Sequence, residues 1–260
     1  MDLAETIDEA RRRTDEGALD EALALLLEAA QTHTDEGLDL EIATLYTERG
    51  LRRPDEEEAL SDFNEALTWA ELPITLAAVA SLRIRREEYA EAETLLARAL
   101  DADPEMPEAV VALARLRLAQ GKVQEAGDRL SAAVQADPRN GVAWLLLAEA
   151  LEKTGRSDDA RAALREGARQ AMDDRLLLAL ARSYVAARDP RAALGPLRTV
   201  LSHHPDDAEA WRELALAAGL VGDELEMHRA YEHACRLDPQ GSAAWLSTAK
   251  SQAPALSALE

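Results

Sequence analysis

Apolar residues run along the chain in paired stripes of helical period. Within residues 103–138, Val110, Leu113 and Ala114 stand at i, i+3 and i+4, and Ala126, Leu130 and Ala133 at i, i+4 and i+7. Each spacing gathers its residues on one face of a helix. Gly121 separates the two stripes, and glycine tolerates the left-handed backbone that ends a helix. The stretch predicts a helical hairpin, opened by Asp103-Pro104 and closed by Asp137-Pro138, its prolines 34 residues apart. One hairpin cannot bury both stripes, so it needs neighbours.

The neighbours are copies. The closing proline recurs at Pro104, Pro138, Pro205 and Pro239, with Met172 in the vacant slot. A small column in the second helices runs Ala22, Ala59, Ala92, Ala126, Ala160, Ala193, Met227. Four residues on, a bulky column runs Leu26, Phe63, Leu96, Leu130, Leu164, Leu197, Tyr231. Three further on, Ala29, Ala66, Ala99, Ala133, Gly167, Val200 and Ala234 are small again. The first helices carry Ala10, Ala43, Ala80, Ala114, Ala148, Ala181 and Ala215. A period near 34 with two helices per unit predicts an all-α repeat array without β-strands, a single solenoid over residues 1–260. The units are residues 3–36, 37–72, 73–106, 107–140, 141–173, 174–207 and 208–241, followed by a capping helix over 242–253.

Three places depart from the period. The first unit carries Arg11, Arg12 and Arg13 where an internal repeat would be apolar, as a solvated end cap should. In the second unit Gly50 and Ala59 are nine apart, against five for Gly121 and Ala126, and the extra residues are placed within LRRPDEEEAL. Pro54 and the four acids after it read as a helix start with proline in the first turn. In the sixth, Asp189-Pro190 reads as a cap and first turn, whereas Pro196 predicts a kink or a stretch that is not helical before it. Residues 255–260 read as a frayed end.

The set Trp144, Leu147, Ala148, Gly155, Ala160 and Leu164, repeated with conservative drift, resembles the tetratricopeptide repeat family over residues 3–241. The resemblance implies an α-solenoid, a right-handed superhelix of about seven tetratricopeptide hairpins plus the C-terminal capping helix. One column departs from the family: its aromatic survives as Tyr46 and Tyr184 but is Arg83, Arg117, Leu151 and Ala218 elsewhere. The resemblance also implies that first helices line a concave groove. The fourth unit would then present Val111 and Arg115, and the fifth Leu145, Leu146 and Glu149. The sixth would present Arg175, Leu178 and Arg182, and the seventh Arg212. These nine form the expected partner-binding groove, an apolar strip flanked by charge. The lysine and asparagine clamp by which some family members hold a terminal carboxylate is absent, since Asn64 and Asn140 are the only asparagines.

Composition narrows the function. The formal charge is −21, and residues 1–130 hold 14 basic against 31 acidic residues, a net −17. Such a surface repels phosphate backbones, so no nucleic acid is expected; it is either a solvated exterior, a salt-adapted one, or an attractant for a basic partner. Residues 153–198 reverse the local balance, with ten basic and six acidic residues. No run approaches 18 apolar residues, so no membrane insertion is expected, and the single Cys235 suits a reducing, cytoplasmic setting. There is no phosphate loop and no zinc-hydrolase histidine pair. On a helix His228 and Cys235 share a face, but His233 points away. No cofactor or metal is expected. With no catalytic chemistry found, the resemblance implies a non-catalytic scaffold for a partner protein or peptide, with an end-to-end self-associating solenoid and a metal-binding or enzymatic role as the alternatives.

Overall fold

The computed structural model describes residues 2–259, and among these every regular element is helical. The chain divides into two compact units, residues 1–126 and 127–260. The first holds α1 (Leu3–Asp15), α2 (Leu19–Ala30), α3 (Glu36–Arg52), α4 (Glu56–Trp69), α5 (Pro73–Arg85), α6 (Tyr89–Ala102) and α7 (Pro107–Ala119). The division falls within α8 (Val123–Ala136). The second holds α9 (Gly141–Lys153), α10 (Ser157–Ala171), α11 (Asp174–Ala186), α12 (Pro190–His203), α13 (Ala208–Val221), α14 (Glu224–Leu237), α15 (Pro239–Ala249) and a 3-10 helix (Pro254–Leu259). Successive helices pair: α1 with α2, α3 with α4 and α5 with α6 in the first unit, α9 with α10, α11 with α12 and α13 with α14 in the second.

Aspartate and asparagine start many of these helices. Asp35, Asn140, Asp207, Asp223 and Asp238 each accept a backbone N–H three residues on, at 2.9–3.0 Å, meeting donors the helix leaves open. The columns read from the sequence meet between paired helices. Ala22, Ala92, Ala160 and Ala193 are fully enclosed, and the bulky column from Leu26 to Leu197 is buried beside them. An alanine there lets two helix backbones approach closely; the leucine one turn on fills the gap. Between α3 and α5 the buried hydroxyls of Thr47 and Thr75 pair at 2.6 Å.

Apart from the α3–α4 pair, the turn within a hairpin uses a left-handed residue. Gly121 has φ +76°, and the same slot is filled by Glu87 and Arg188, both at φ +61°, where a side chain is strained. Met172, in the vacant proline slot, is a left-handed helix end at φ +50° with an exposed side chain.

The second repeat corrects the sequence reading. Gly50 does not end its helix: α3 runs on to Arg52, 17 residues against 13 for α5 and α7. The insertion is thus one further helical turn. Gly50 is buried inside it, and a Cβ there would lie 2.6 Å from Phe63 Cε1. The glycine is required by closeness to an aromatic ring. Nor is Pro54 in the first turn of α4. Asp55 is the cap, accepting from the amides of Glu57 and Glu58 at 2.9 and 3.0 Å, and Pro54 precedes it.

Asp189 and Pro190 cap and open α12 as expected, with Ala192 N–H donating to Asp189 at 3.3 Å. The helix is unbroken from Pro190 to His203, so the segment before Pro196 is helical. The capping helix begins at Pro239 and ends at Ala249, short of 253. The tail after it is not frayed over residues 255–259; Glu260, the last residue of that reading, lies outside the described residues. Residues 254–259 form the 3-10 helix, which places fully buried Leu256 within 3.5 Å of the Cβ position of Gly219, among Met227, Leu216 and Leu246. Leu256 has a place to go because Gly219 leaves a hollow in α13.

Candidate functional site

The expected groove residues of the second unit lie on α9, α11 and α13. Leu145 and Leu178 are half-buried, whereas Leu146 is only 8% exposed and belongs to the packing of α9. The charges around them are matched internally. Glu149 pairs with Lys153 at 3.2 Å, Arg175 with Asp173 at 2.6 Å, and Arg212 with Asp238 at 2.9 Å. Arg182 holds Glu209 and, at 2.9 Å, Glu213. Burial pulls the Arg182 pKa down, but its hydrogen bonds to Glu209 and Glu213 outweigh that, and the net shift is upward. Asp173 is held below the usual aspartate value, chiefly by the Arg175 guanidinium. Leu178 and Arg175 share a shallow hollow of about 300 Å³ with Asp174, Asp207 and His204.

The other two expected residues, Val111 and Arg115, lie on α7 in the first unit. Val111 is buried. Arg115 opens onto a cleft of about 430 Å³ bounded by α3, α4, α5 and α7. Its floor is Ile74, Ala77, Ala78 and Ser81 of α5, on one helical face by their spacing. Its far wall is the inserted turn of α3 and the loop after it, Gly50, Leu51, Arg53 and Pro54. Arg85 and Glu108 complete the rim.

That wall is fastened by charge. Asp62 of α4 is 5% exposed and takes Arg49 through both oxygens, at 3.0 and 2.6 Å, and Arg53 at 3.3 Å. The hydrogen bonds to Asp62 raise the Arg49 pKa, so this guanidinium stays charged at any working pH. A buried carboxylate with two forked donors fixes the end of α3 on α4, and with it Leu51, 58% exposed, at the cleft. Arg85 reaches Glu56 at 3.0 Å and Arg53 reaches Glu58 at 3.1 Å. Arg115 has no ion pair or side-chain hydrogen bond among the described residues.

The cleft floor on α5 and its wall on α3 escaped the sequence reading. Its signal was the insertion: extra residues beside a bare Leu51 mark a surface that packing between repeats does not require. The two arginines in the aromatic column are explained by charge. Arg117 meets Glu93 at 2.7 Å and Glu125 at 3.1 Å, while Arg83 meets Glu88 and Glu91, so each substitutes an ion pair for a ring. His233 stacks on Trp211 at 4.4 Å, and among the described residues no three His, Cys, Asp or Glu side chains are grouped to hold a metal.

Comparison with known proteins gives a consistent picture. The tetratricopeptide repeat models match residues 83–131, 117–184 and 174–218. A search of curated proteins returned no match. Among solved structures, the chain is similar to a tetratricopeptide repeat protein from Parabacteroides merdae, with 16% identity, 98% of each chain covered and a TM-score of 0.63. It is also similar to a thermophilic protein of the same kind from Thermus thermophilus, at 23% identity over 69% of this chain and 98% of that one, TM-score 0.53. A third is YrrB, described as having an unusual peptide-binding site, at 18% identity over 72% and 97%, TM-score 0.51. These likenesses are of fold. No helix among the described residues is long and apolar enough to cross a membrane.

Proposed function

Since the chain belongs to the tetratricopeptide repeat family, whose proteins generally mediate protein–protein interactions, we propose that it is a non-catalytic scaffold holding a segment of a partner protein against its first helices. The observation that carries this reading is the open cleft over α5. That helix is apolar nearly all round, PITLAAVASLRIR, a composition that belongs to a helix covered on every side. Yet Ile74, Ala78 and Ser81 are only half-covered and line a cavity. An apolar helix face left open is supplied with its cover by a partner. The second unit, by itself, carries half-buried Leu145 and Leu178, with Arg175, Arg182 and Arg212, on the first helices α9, α11 and α13. Burial of apolar area there contributes about 25 cal/mol per Å², and the arginines orient the segment by exchanging partners. YrrB, with its peptide-binding site, is a precedent for the use of such a face.

The test is capture of partners from native lysate on wild-type and variant protein. Ala78→Glu in α5 or Leu178→Asp in α11 should abolish capture, and Arg13→Glu on the first helix should leave it intact. Leu146→Asp is unsuitable, because Leu146 is buried and its loss would test stability. Equal capture by wild type, Ala78→Glu and Leu178→Asp would refute the reading.

A further inference from the structure

We propose that the inserted turn of α3 builds a receptor for one side-chain carboxylate of a partner segment, with Arg115 as its cation. The inference rests on the reading above, that first-helix faces take a partner segment, and names what the segment must carry.

The argument starts from arginine bookkeeping. The chain has 50 acidic and 29 basic residues, so every guanidinium has acids to choose from. The half-buried cations use them: Arg49 takes Asp62, Arg86 takes Glu57, Arg117 takes Glu93 and Arg212 takes Asp238. Arg115 is the half-buried cation that takes none among the described residues. Desolvating a charge without a partner is unfavourable. A guanidinium offers a fork that fits a carboxylate through two parallel hydrogen bonds. Arg53 and Arg85, which share the cleft, are already engaged by Asp62 and Glu56. Arg115 is therefore the uncommitted donor at this site.

Next to it the cleft is apolar. Leu51 and Pro54 stand on the wall that only the inserted turn provides, opposite Ile74 and Ala78. They suit one bulky aliphatic or aromatic side chain adjacent to the carboxylate. Glu108 lies seven residues before Arg115, on the same face of α7, and also has no partner among the described residues. It suits a basic residue on the other side of the segment. The wider field restricts the ligand further. Residues 1–130 carry a net −17, so a second or third acid that comes within a screening length of about 8 Å of this surface at physiological salt is repelled. The occupant is an extended protein segment with a single Asp or Glu beside a large apolar residue, in a neutral to basic context.

The experiment screens displayed random dodecapeptides, in one library fused at both ends and in another with a free C-terminus, against the full chain. Enriched peptides are then measured by fluorescence anisotropy. The proposal expects the library fused at both ends to yield peptides with one acid beside a bulky apolar residue. Affinity should fall at least tenfold on Arg115→Gln, on Leu51→Asp, and on replacing the peptide's acid by its amide. The Arg115 and acid-to-amide losses should not add. Arg139→Gln, an exposed arginine whose side chain has no partner among the described residues, should change affinity less than twofold. Leu51 and Arg115 are at the surface, and circular dichroism confirms that the variants fold. Enriched peptides that lack an acid, that come only from the free C-terminal library, or that bind Arg115→Gln as well as wild type overturn the proposal. If those peptides are lost with Leu178→Asp instead, the wider reading of the first-helix face stands and this one fails. If neither library is enriched, both fail.

Discussion

Gly50 gives the sharpest test of how the inserted turn is built. Glycine inside a helix is normally a weakness, and alanine in its place gains about 1 kcal/mol. Gly127 in α8 is such a case: an added Cβ would sit 3.8 Å from Ala150 Cβ, an ordinary contact. At Gly50 the same methyl would lie 2.6, 2.8 and 3.1 Å from Phe63 Cε1, Cδ1 and Cζ. Carbon pairs prefer about 3.5–4.0 Å, so the ring must move by roughly 1 Å. Phe63 is 3% exposed and has little space to do so. Overpacking of this kind costs about 1–3 kcal/mol. Both variants share the intrinsic helix gain, so the stability difference between Gly127→Ala and Gly50→Ala isolates the clash, at about 1–3 kcal/mol. Urea unfolding followed at 222 nm measures it. Native-state hydrogen exchange on α3 and α4 places it, since a repeat array need not unfold in one step. Phe63→Leu, the residue usual in that column, should remove most of the penalty of Gly50→Ala. Equal stability of the two alanine variants, or no relief from Phe63→Leu, would refute the packing argument.

Three further outcomes are expected. Glu87→Gly and Arg188→Gly should each stabilise by about 1 kcal/mol in urea unfolding, because both residues are held at φ +61° where a Cβ is strained; a loss of stability would contradict this. The Tyr231 phenol is pushed up to about 12, first by burial and then by its hydrogen bond with Cys235. The folded state keeps a proton that the unfolded chain releases near pH 10, so this contribution is present below about pH 10 and lost as pH rises toward 12. Cys235→Ala should bring the phenol down in an ultraviolet titration, and no change would refute the pairing. Leu256→Ala should cost about 2 kcal/mol or more and speed amide exchange in α13 and α15; a change under about 0.5 kcal/mol would mean that the tail is not part of the core.

The helices and hairpin pairing were legible because the small and bulky columns obey helical spacing, and spacing is all that a stripe needs to be buried. What was not legible depended on distance across helices. Gly50 occupies the slot of a stop signal, and nothing local distinguishes a glycine that ends a helix from one pressed by a ring. The clue was Phe63, one aromatic in a column of leucines. Pro54 was read two residues too far inside because Asp55, immediately after it, is the stronger cap. The tail was read as frayed because the hollow that takes Leu256, at Gly219, lies 37 positions earlier in the chain. At the candidate site the sequence identified Arg115 and Leu178 as facing outward, but could not tell that Leu146 and Val111 are covered. It could not tell either that Arg182 and Arg212 are engaged, since ion pairs between repeats depend on side chains about 30 positions apart; Arg175 is taken by Asp173, only two positions before it.

The one-turn insertion in α3 has a consequence for how such chains diversify. Four added residues advance a helix by about 400°, so the face beyond the insertion is rotated by only about 40°. The columns that bind α3 to its neighbours survive the change, and only the length of the rod increases. Two added residues would turn the face by about 200° and point the buried stripe outward. Length in this architecture is therefore quantised: a repeat can grow by whole turns, each adding a step to the wall of a neighbouring cleft, while intermediate lengths are mechanically forbidden. Arg53 and Leu51 stand on such a step, at a height that helices of 13 residues do not reach.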